Sequence, residues 1–197
     1  MPRQVDHDAR RTAIAQAVCE LIAERGIEGA TLRETADRAG VSMGAVQRAF
    51  PKDGMLRFAL DHIAAQLKER ADARVAASGA PKSARTLLTV VLEALVLADG
   101  DQQIAARVWL AFLAHSATRA DFAEVIRIAL RDTHGLIVWL LEYGRGSGEF
   151  RDDVEAAPTA RALQALADGL TQHIVVGHVT VAETRDLIER AVRPLLA

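Results

Sequence analysis

A single cysteine, Cys19, rules out any disulfide framework within the chain. It stands beside Val18, Leu21 and Ile22 and has no second thiol, so it reads as a buried structural residue rather than a redox sensor. Half of the sequence is hydrophobic, yet charges interrupt it too often for the run of about eighteen apolar residues that a membrane-spanning helix needs. The opening segment, MPRQVDHDARRT, lacks the apolar stretch of a secretory leader, which makes the cytoplasm the expected compartment. Charge of one sign is also scarce. The formal net charge is −2, and residues 1–52 carry eight basic side chains against seven acidic ones. Bulk attraction to phosphate is therefore expected to be modest.

The usual marks of catalysis are missing as well. The histidines at 7, 62, 115, 134, 173 and 178 form no HExxH pair, and Cys19 has no companion ligands, so no metal site is expected. The run GRGSG lacks both the lysine of a phosphate loop and a strand before it. It matches neither a nucleophile elbow nor a dinucleotide fingerprint in context. A glycine-rich helix end needs no chemistry. The chain is expected to be no enzyme and to need no cofactor.

What remains is helical almost throughout. Alanine, leucine, glutamate and arginine dominate, and alternating β-type runs are few. Breaks divide the sequence into about nine segments. Asp8 to Arg25 is expected to form a helix with Ile14, Val18, Leu21 and Ile22 on one face, and Gly26 to Gly29 to end it. Helices are expected over Thr31–Ala39, Ser42–Phe50, Lys52–Ala77, Ala84–Leu97, Gln102–Ser116 and Arg119–Tyr143. Pro158 suits the first turn of an eighth helix reaching Gly177. A ninth spans Val181–Leu196, with Pro194 loosening its end. SGAPKS at 78–83 is the best-marked break. Residues 1–52 are assigned to one domain and 53–197 to another, with 52–77 as the connecting helix. The fold class is all-α, with an amino-terminal three-helix domain and a larger helical carboxy-terminal one.

Residues 31–50, TLRETADRAGVSMGAVQRAF, carry the functional signal, because they read as a helix-turn-helix. Ala36 leaves little side chain where two short helices cross, and Gly40 can take the positive φ of a sharp turn. Val41 and Val46 plug the second helix onto the first. Thr31 and Ser42 carry the hydroxyls of N-caps. Ser42, Met43, Gly44, Gln47 and Arg48 are left on the outward face, where base edges would be met. Gln47 can pair with adenine and Arg48 with guanine, so these two are the candidates for sequence readout. Thr31, at a helix amino terminus, is also a candidate phosphate contact. Arg33 and Arg38 are weaker phosphate candidates, with Glu34 and Asp37 beside them.

From Gly26 to Leu56 the chain resembles the tetracycline-repressor (TetR) family of bacterial transcription regulators, through Gly29-Ala-Thr-Leu, Ala39-Gly-Val-Ser, Gly44 and Phe50-Pro-Lys-Asp. GRGSGEFRDDV followed by LADGL, across residues 140–175, resembles the carboxy-terminal domain of its BetI-like branch. The resemblance implies a repressor that binds palindromic double-stranded operator DNA as a homodimer and is released by a small molecule. It also implies that Lys52 contacts the DNA backbone. The chain departs from the family at Gln47 and Ala49, where aromatics are usual, and in the direct succession of Pro51 and Lys52. Those departures leave the fold expectation intact but remove any basis for borrowing an operator sequence.

The implied ligand pocket belongs in the carboxy-terminal body. Its candidates are the aromatic pairs Trp109–Phe112 and Trp139–Tyr143, each on one helix face, with His115 and His173 for polar contacts and Leu92 and Val96 in the wall. Asp168 could pair with a cationic ligand, and each of these three polar residues alone also suits a satisfied buried or surface position. The same aromatics also suit a plain core. For dimerisation, Leu163, Leu166, Leu170 and Ile174 make one apolar stripe, and Leu187, Val192 and Leu195 belong to a second, together giving a four-helix interface with a symmetry mate. Burial of those stripes within one subunit is the alternative. A different class of function stays open too: a helical small-molecule-binding protein without sequence-specific DNA binding.

Overall fold

The computed structural model describes residues 2–50, 54–96 and 102–197, with side chains from residue 8 onward. Among the described residues there are nine α-helices and no strand. They are α1 (Pro2–Arg25), α2 (Leu32–Ala39), α3 (Met43–Ala49), α4 (Gly54–Ala77), α5 (Ala84–Val96), α6 (Gln103–Ser116), α7 (Ala120–Gly146), α8 (Ala156–Val175) and α9 (Val181–Val192). The all-α expectation holds. Single 3₁₀ turns follow α1 and α9, the second at Arg193–Leu195, where Pro194 interrupts the α-helical pattern. The candidate backbone contact Lys52 and the ADGD break lie outside the described residues.

The chain forms two compact units. One comprises Met1–Gln66 and Arg107–Val125, the other Leu67–Ala106 and Ile126–Ala197. The first unit is built on the apolar face of α1, where Ile14, Val18, Leu21 and Ile22 are all buried, as their spacing predicts. Ala36, Val46, Phe50, Ala59 and Ile63 are buried in the same unit. Phe50 packs against Phe58 with ring centroids 4.7 Å apart, and the Arg11 guanidinium lies 4.9 Å from the Phe58 ring centre. Cys19 is buried, with Sγ 3.7 Å from the Ala59 carbonyl oxygen. Burial, and to a lesser extent the charge of Glu20, push its thiol up to about 12.

The second unit has its own core. Leu88, Leu92 and Val96 of α5 meet Ile137, Leu140 and Leu141 of α7, Leu163, Ala167 and Leu170 of α8, and Ile188 and Val192 of α9. α7 continues past Tyr143 through Gly146, further than the glycine-rich run suggests. The chain then doubles back so that Phe150 fills the space over Gly144, where a Cβ would lie only 2.8 Å from Cγ of the ring. Glu149, at this turn, has a specific role. Its carboxylate accepts hydrogen bonds from Ser83 Oγ (2.6 Å) and from the backbone N–H groups of Ala84 (2.8 Å) and Arg85 (3.3 Å), capping α5 from across the unit. Burial raises the pKa of this group, but the hydrogen bonds from Ser83, Ala84, Arg85 and Ser147 outweigh it and hold the carboxyl below its ordinary value. An isolated antiparallel bridge between Phe150 and Leu196 fastens the chain end to the same turn. No helix among the described residues is long and apolar enough to cross a membrane.

Candidate nucleic-acid interface

The helix-turn-helix is held by three local devices. Thr31 Oγ1 accepts from the Glu34 N–H at 3.2 Å, and Ser42 Oγ accepts from the Ala45 N–H at 3.2 Å, so both hydroxyls cap the helices that they precede. Gly40 ends α2 in the left-handed region (φ 66°, ψ 33°), and the next N–H, from Val41, donates to the Ala36 carbonyl at 3.0 Å. A residue with a Cβ is strained at such a φ, which is why glycine suits the turn. Val46 and Phe50 then anchor α3 from its inner side, both fully buried.

With that side committed, the other side of α3 faces solvent. Ser42, Met43, Gln47 and Arg48 are exposed, Met43 by half of its surface, and Gly44 is half-exposed between them. Gly44 lies one turn before Arg48, and a Cβ there would stand 3.4 Å from Arg48 Nη1, so the guanidinium lies along the helix over the glycine. Thr31 is exposed at the start of α2. These six candidates thus lie on or beside the solvent side of the two short helices.

Not every basic side chain of this unit is available to an anion. Arg38 donates from Nη1 and Nη2 to the two carboxylate oxygens of Glu24, at 3.0 and 2.7 Å, and from Nη1 to Glu20 at 3.2 Å. These hydrogen bonds raise the Arg38 pKa and lower that of Glu24. Arg25 pairs with Glu34 at 3.2 Å. Arg38 therefore ties α2 to α1 and has its charge answered within the protein. A count of charges along the sequence cannot distinguish such an arginine from Arg48, because Glu20 and Glu24 lie more than a dozen residues away.

The candidates for a ligand pocket fall in different units. In the first unit, Phe112 is buried, Trp109 and His115 are half-buried, and the rings of Phe112 and His115 both pack against Phe122, at 5.5 and 4.7 Å. In the second unit, Leu92 and Val96 belong to the core. Trp139 and Tyr143 stack in parallel, with centroids 5.6 Å apart, yet keep 55% and 37% of their surface exposed. Tyr143 Oη donates to the Lys82 carbonyl at 2.8 Å. His173 is exposed and packs edge-on against His178 at 5.0 Å. Among the candidate dimer residues, Leu163, Leu170 and Val192 are buried in the unit's own core, while Leu166, Ile174 and Leu195 are half-buried and Leu187 is exposed.

Sequence reasoning missed two buried polar residues of α8. Thr171 Oγ1 donates into the carbonyl-rich end of α5, with Leu95 and Val96 oxygens at 3.2 and 3.1 Å and the Ala167 oxygen at 3.0 Å. Gln164 Nε2 donates to the Leu130 carbonyl of α7 at 3.0 Å. Their positions within an apolar helical stripe were the available signal, since buried polar groups need partners.

Comparison with known proteins agrees with this architecture. Residues 14–67 match the model of bacterial regulatory proteins of the tetR family, and residues 84–197 match that of the BetI-type transcriptional repressor C-terminal domain. The chain is similar to the HTH-type transcriptional regulator PksA of Bacillus subtilis (strain 168), with 31% identity over 98% of this chain and 90% of that protein. It is also similar to the HTH-type transcriptional regulator BetI of Burkholderia mallei (strain NCTC 10229), with 32% identity over 86% of this chain and 84% of that one. A TetR-family regulator from Rhodococcus sp. shares the fold, with a TM-score of 0.83 at 23% identity, covering 96% of this chain and 100% of that one. This chain belongs to the TetR family of bacterial transcriptional regulators.

Proposed function

We propose that this regulator is a cytoplasmic repressor that binds palindromic operator DNA as a homodimer and releases it when a small molecule occupies the carboxy-terminal body. The observation that carries the DNA reading is the two-sided character of α3. Val46 and Phe50 hold one side inside the protein, while Ser42, Met43, Gln47 and Arg48 leave the other to solvent. Gln47 and Arg48 read base edges from the major groove, Met43 and Gly44 allow close approach, and Thr31 and Lys52 hold the flanking phosphates. Residues 1–52 act as the DNA-binding domain, 52–77 as the connection and 53–197 as the ligand and dimer domain.

Pairing two subunits through α8 and α9 sets two recognition helices on half-sites about 34–36 Å apart, one helical turn of DNA. Leu166, Ile174, Leu187 and Leu195 keep apolar surface available for that contact. A ligand that prefers a conformation with another spacing lowers operator affinity in proportion to that preference. Fluorescence anisotropy with DNA from the region upstream of the protein's own gene tests the reading. Specific, salt-sensitive binding by a species that light scattering shows to be a dimer is expected. Equal affinity for that DNA and for random duplex, or binding by a monomer, refutes it.

A further inference from the structure

The first unit holds a column of three side chains from three helices. The Arg11 guanidinium of α1 lies over the Phe58 ring of α4, 4.9 Å from its centre. Phe58 in turn packs against Phe50, with ring centroids 4.7 Å apart. Phe50 is the residue that ends α3, its N–H donating to the Val46 carbonyl. Arg11 therefore stands one ring away from the end of the helix that carries Gln47 and Arg48. Its charge is not spent as those of its neighbours are. Arg38 and Arg25 pair with Glu20, Glu24 and Glu34. Arg119 also lies over a ring, that of Phe122, but it pairs with Asp121 at 2.9 Å. Arg11 has the ring without the acid. It is half-buried, and among the described residues no hydrogen bond or ion pair engages its side chain.

A guanidinium held over an aromatic face is fixed in place while its N–H groups stay free, because the attraction runs between charge and ring. Holding a long side chain still costs rotamer freedom, and here no carboxylate collects the N–H groups in return. Those donors match a phosphate. A helix lying in the major groove has base edges beneath its outward face and the phosphate backbones beside it. Arg11 stands beside the end of α3, off the face that carries Gln47 and Arg48, where the backbone and not the base edges would be met. Resting on the operator-binding reading above, we propose that Arg11 is a DNA-phosphate contact, seated by Phe58 at the carboxy-terminal end of the recognition helix. Because the same ring packs on Phe50, the phosphate that Arg11 grips also fixes how α3 sits in the groove. Arg11 precedes residues 14–67, the segment that matches the family, and the contact belongs to this chain's own α1.

The test uses the full chain and two duplexes of equal length, DNA from upstream of the protein's own gene and a random sequence. Binding is titrated by fluorescence anisotropy over a salt series of about 50 to 200 mM. Arg11→Ala is expected to weaken binding to both duplexes by the same factor, about tenfold or more. It should also flatten log K against log salt by about 0.9 for each phosphate released. Arg11→Lys keeps the charge and should recover the slope, yet bind less tightly than arginine, since an ammonium cannot grip a phosphate with two parallel N–H groups. Phe58→Leu keeps apolar contact with Phe50 but removes the seat. It should weaken binding when Arg11 is present and change it little in the Arg11→Ala background. Unchanged affinity and slope in Arg11→Ala overturn the proposal and leave the operator reading standing. A loss confined to one duplex does the same, because it marks base readout. A lower melting temperature with DNA binding intact overturns it too, since Arg11 then serves the fold alone. An equal cost of Phe58→Leu in both backgrounds overturns the seating by Phe58. Native protein that binds neither duplex sinks this proposal and the operator reading together.

Discussion

Replacing Gly144 by alanine should destabilise the second unit, although the residue lies inside a helix where alanine is normally the better choice. At an exposed helical position the exchange gains up to about 1 kcal/mol, since glycine gives up more backbone freedom on folding. Gly144 is not such a position. A Cβ built there lies 2.8 Å from Phe150 Cγ and closer still to Cδ2 and Cε2, all on a ring that is 1% exposed. The ring has little room to retreat. The Phe150 N–H donates to the Gly144 carbonyl at 3.0 Å, and Arg151 N–H donates to the Leu195 carbonyl at 2.9 Å. Forcing a methyl into a filled site costs about 1–3 kcal/mol, and a clash with three ring carbons belongs at the upper end. The net expectation for Gly144→Ala is a loss of roughly 1–2 kcal/mol, or several degrees in melting temperature at about 2–4 °C per kcal/mol for a chain of this size. Gly135, in the same helix with open space around its Cβ position, is the control, and Gly135→Ala should be stabilising. The cause is isolated by a double-mutant cycle. Phe150→Ala alone should cost about 3–5 kcal/mol, and in that background Gly144→Ala should turn neutral or favourable. Urea and thermal unfolding followed by circular dichroism measure all four proteins. If Gly144→Ala matches Gly135→Ala in sign, the close-approach argument is wrong.

Glu149→Ala should cost about 1–2 kcal/mol by uncapping α5. Because the folded pKa of Glu149 lies below its ordinary value of 4.5, its contribution is fully present above that pH and is lost as pH falls through the folded value. Acid unfolding of Glu149→Gln should therefore be less steep below pH 4.5 than that of the native protein. Cys19, with its thiol pushed up to about 12 and its side chain buried, should react with a disulfide reagent at neutral pH only as fast as the fold opens. Prompt labelling of native protein would contradict that packing. Arg38→Ala should lower thermal stability by leaving Glu20 and Glu24 unpaired, with no change in the salt dependence of DNA binding. Arg48→Ala should do the reverse, relaxing sequence preference without a change in melting temperature, and Lys52→Ala should weaken all sequences alike and reduce the salt slope by about 1.

The elements of the first unit were legible because each is signalled by neighbours in sequence. Thr31 and Ser42 cap the helices they precede, Gly40 turns where it stands, and the spacing of Ile14, Val18 and Leu21 marks a buried face. The turn after α7 was not legible. Nothing near Glu149 in the chain indicates that its carboxylate reaches Ser83 and the start of α5, a contact spanning 66 residues. Phe150 over Gly144 is a sequence-local contact, but its purpose appears only when Leu195 and Leu196 close the same turn. Aromatic rarity was a poor guide to burial. Trp139 and Tyr143 share a helix face, as their spacing requires, yet that face is the one α7 turns to solvent. Periodicity tells which residues lie together on a helix, and only the neighbouring helices decide which side is inside.

The same distinction governs the charges. Formal counting makes the first 52 residues almost neutral and treats each arginine as equivalent. In the fold, Arg38 and Arg25 pair with Glu20, Glu24 and Glu34, so these cations and anions cancel one another locally although Arg25, Glu24 and Glu34 stay about half exposed. Near-neutrality along the sequence thus conceals a division of labour. One set of ion pairs locks α2 against α1, and Arg48 remains over Gly44 on the solvent side of α3. Locking the scaffold with internal pairs lets the proposed recognition surface rely on few charges, each held in a defined place. It also lets a chain of formal charge −2 keep a guanidinium on the solvent side of α3, because Glu20, Glu24 and Glu34 are answered by Arg38 and Arg25.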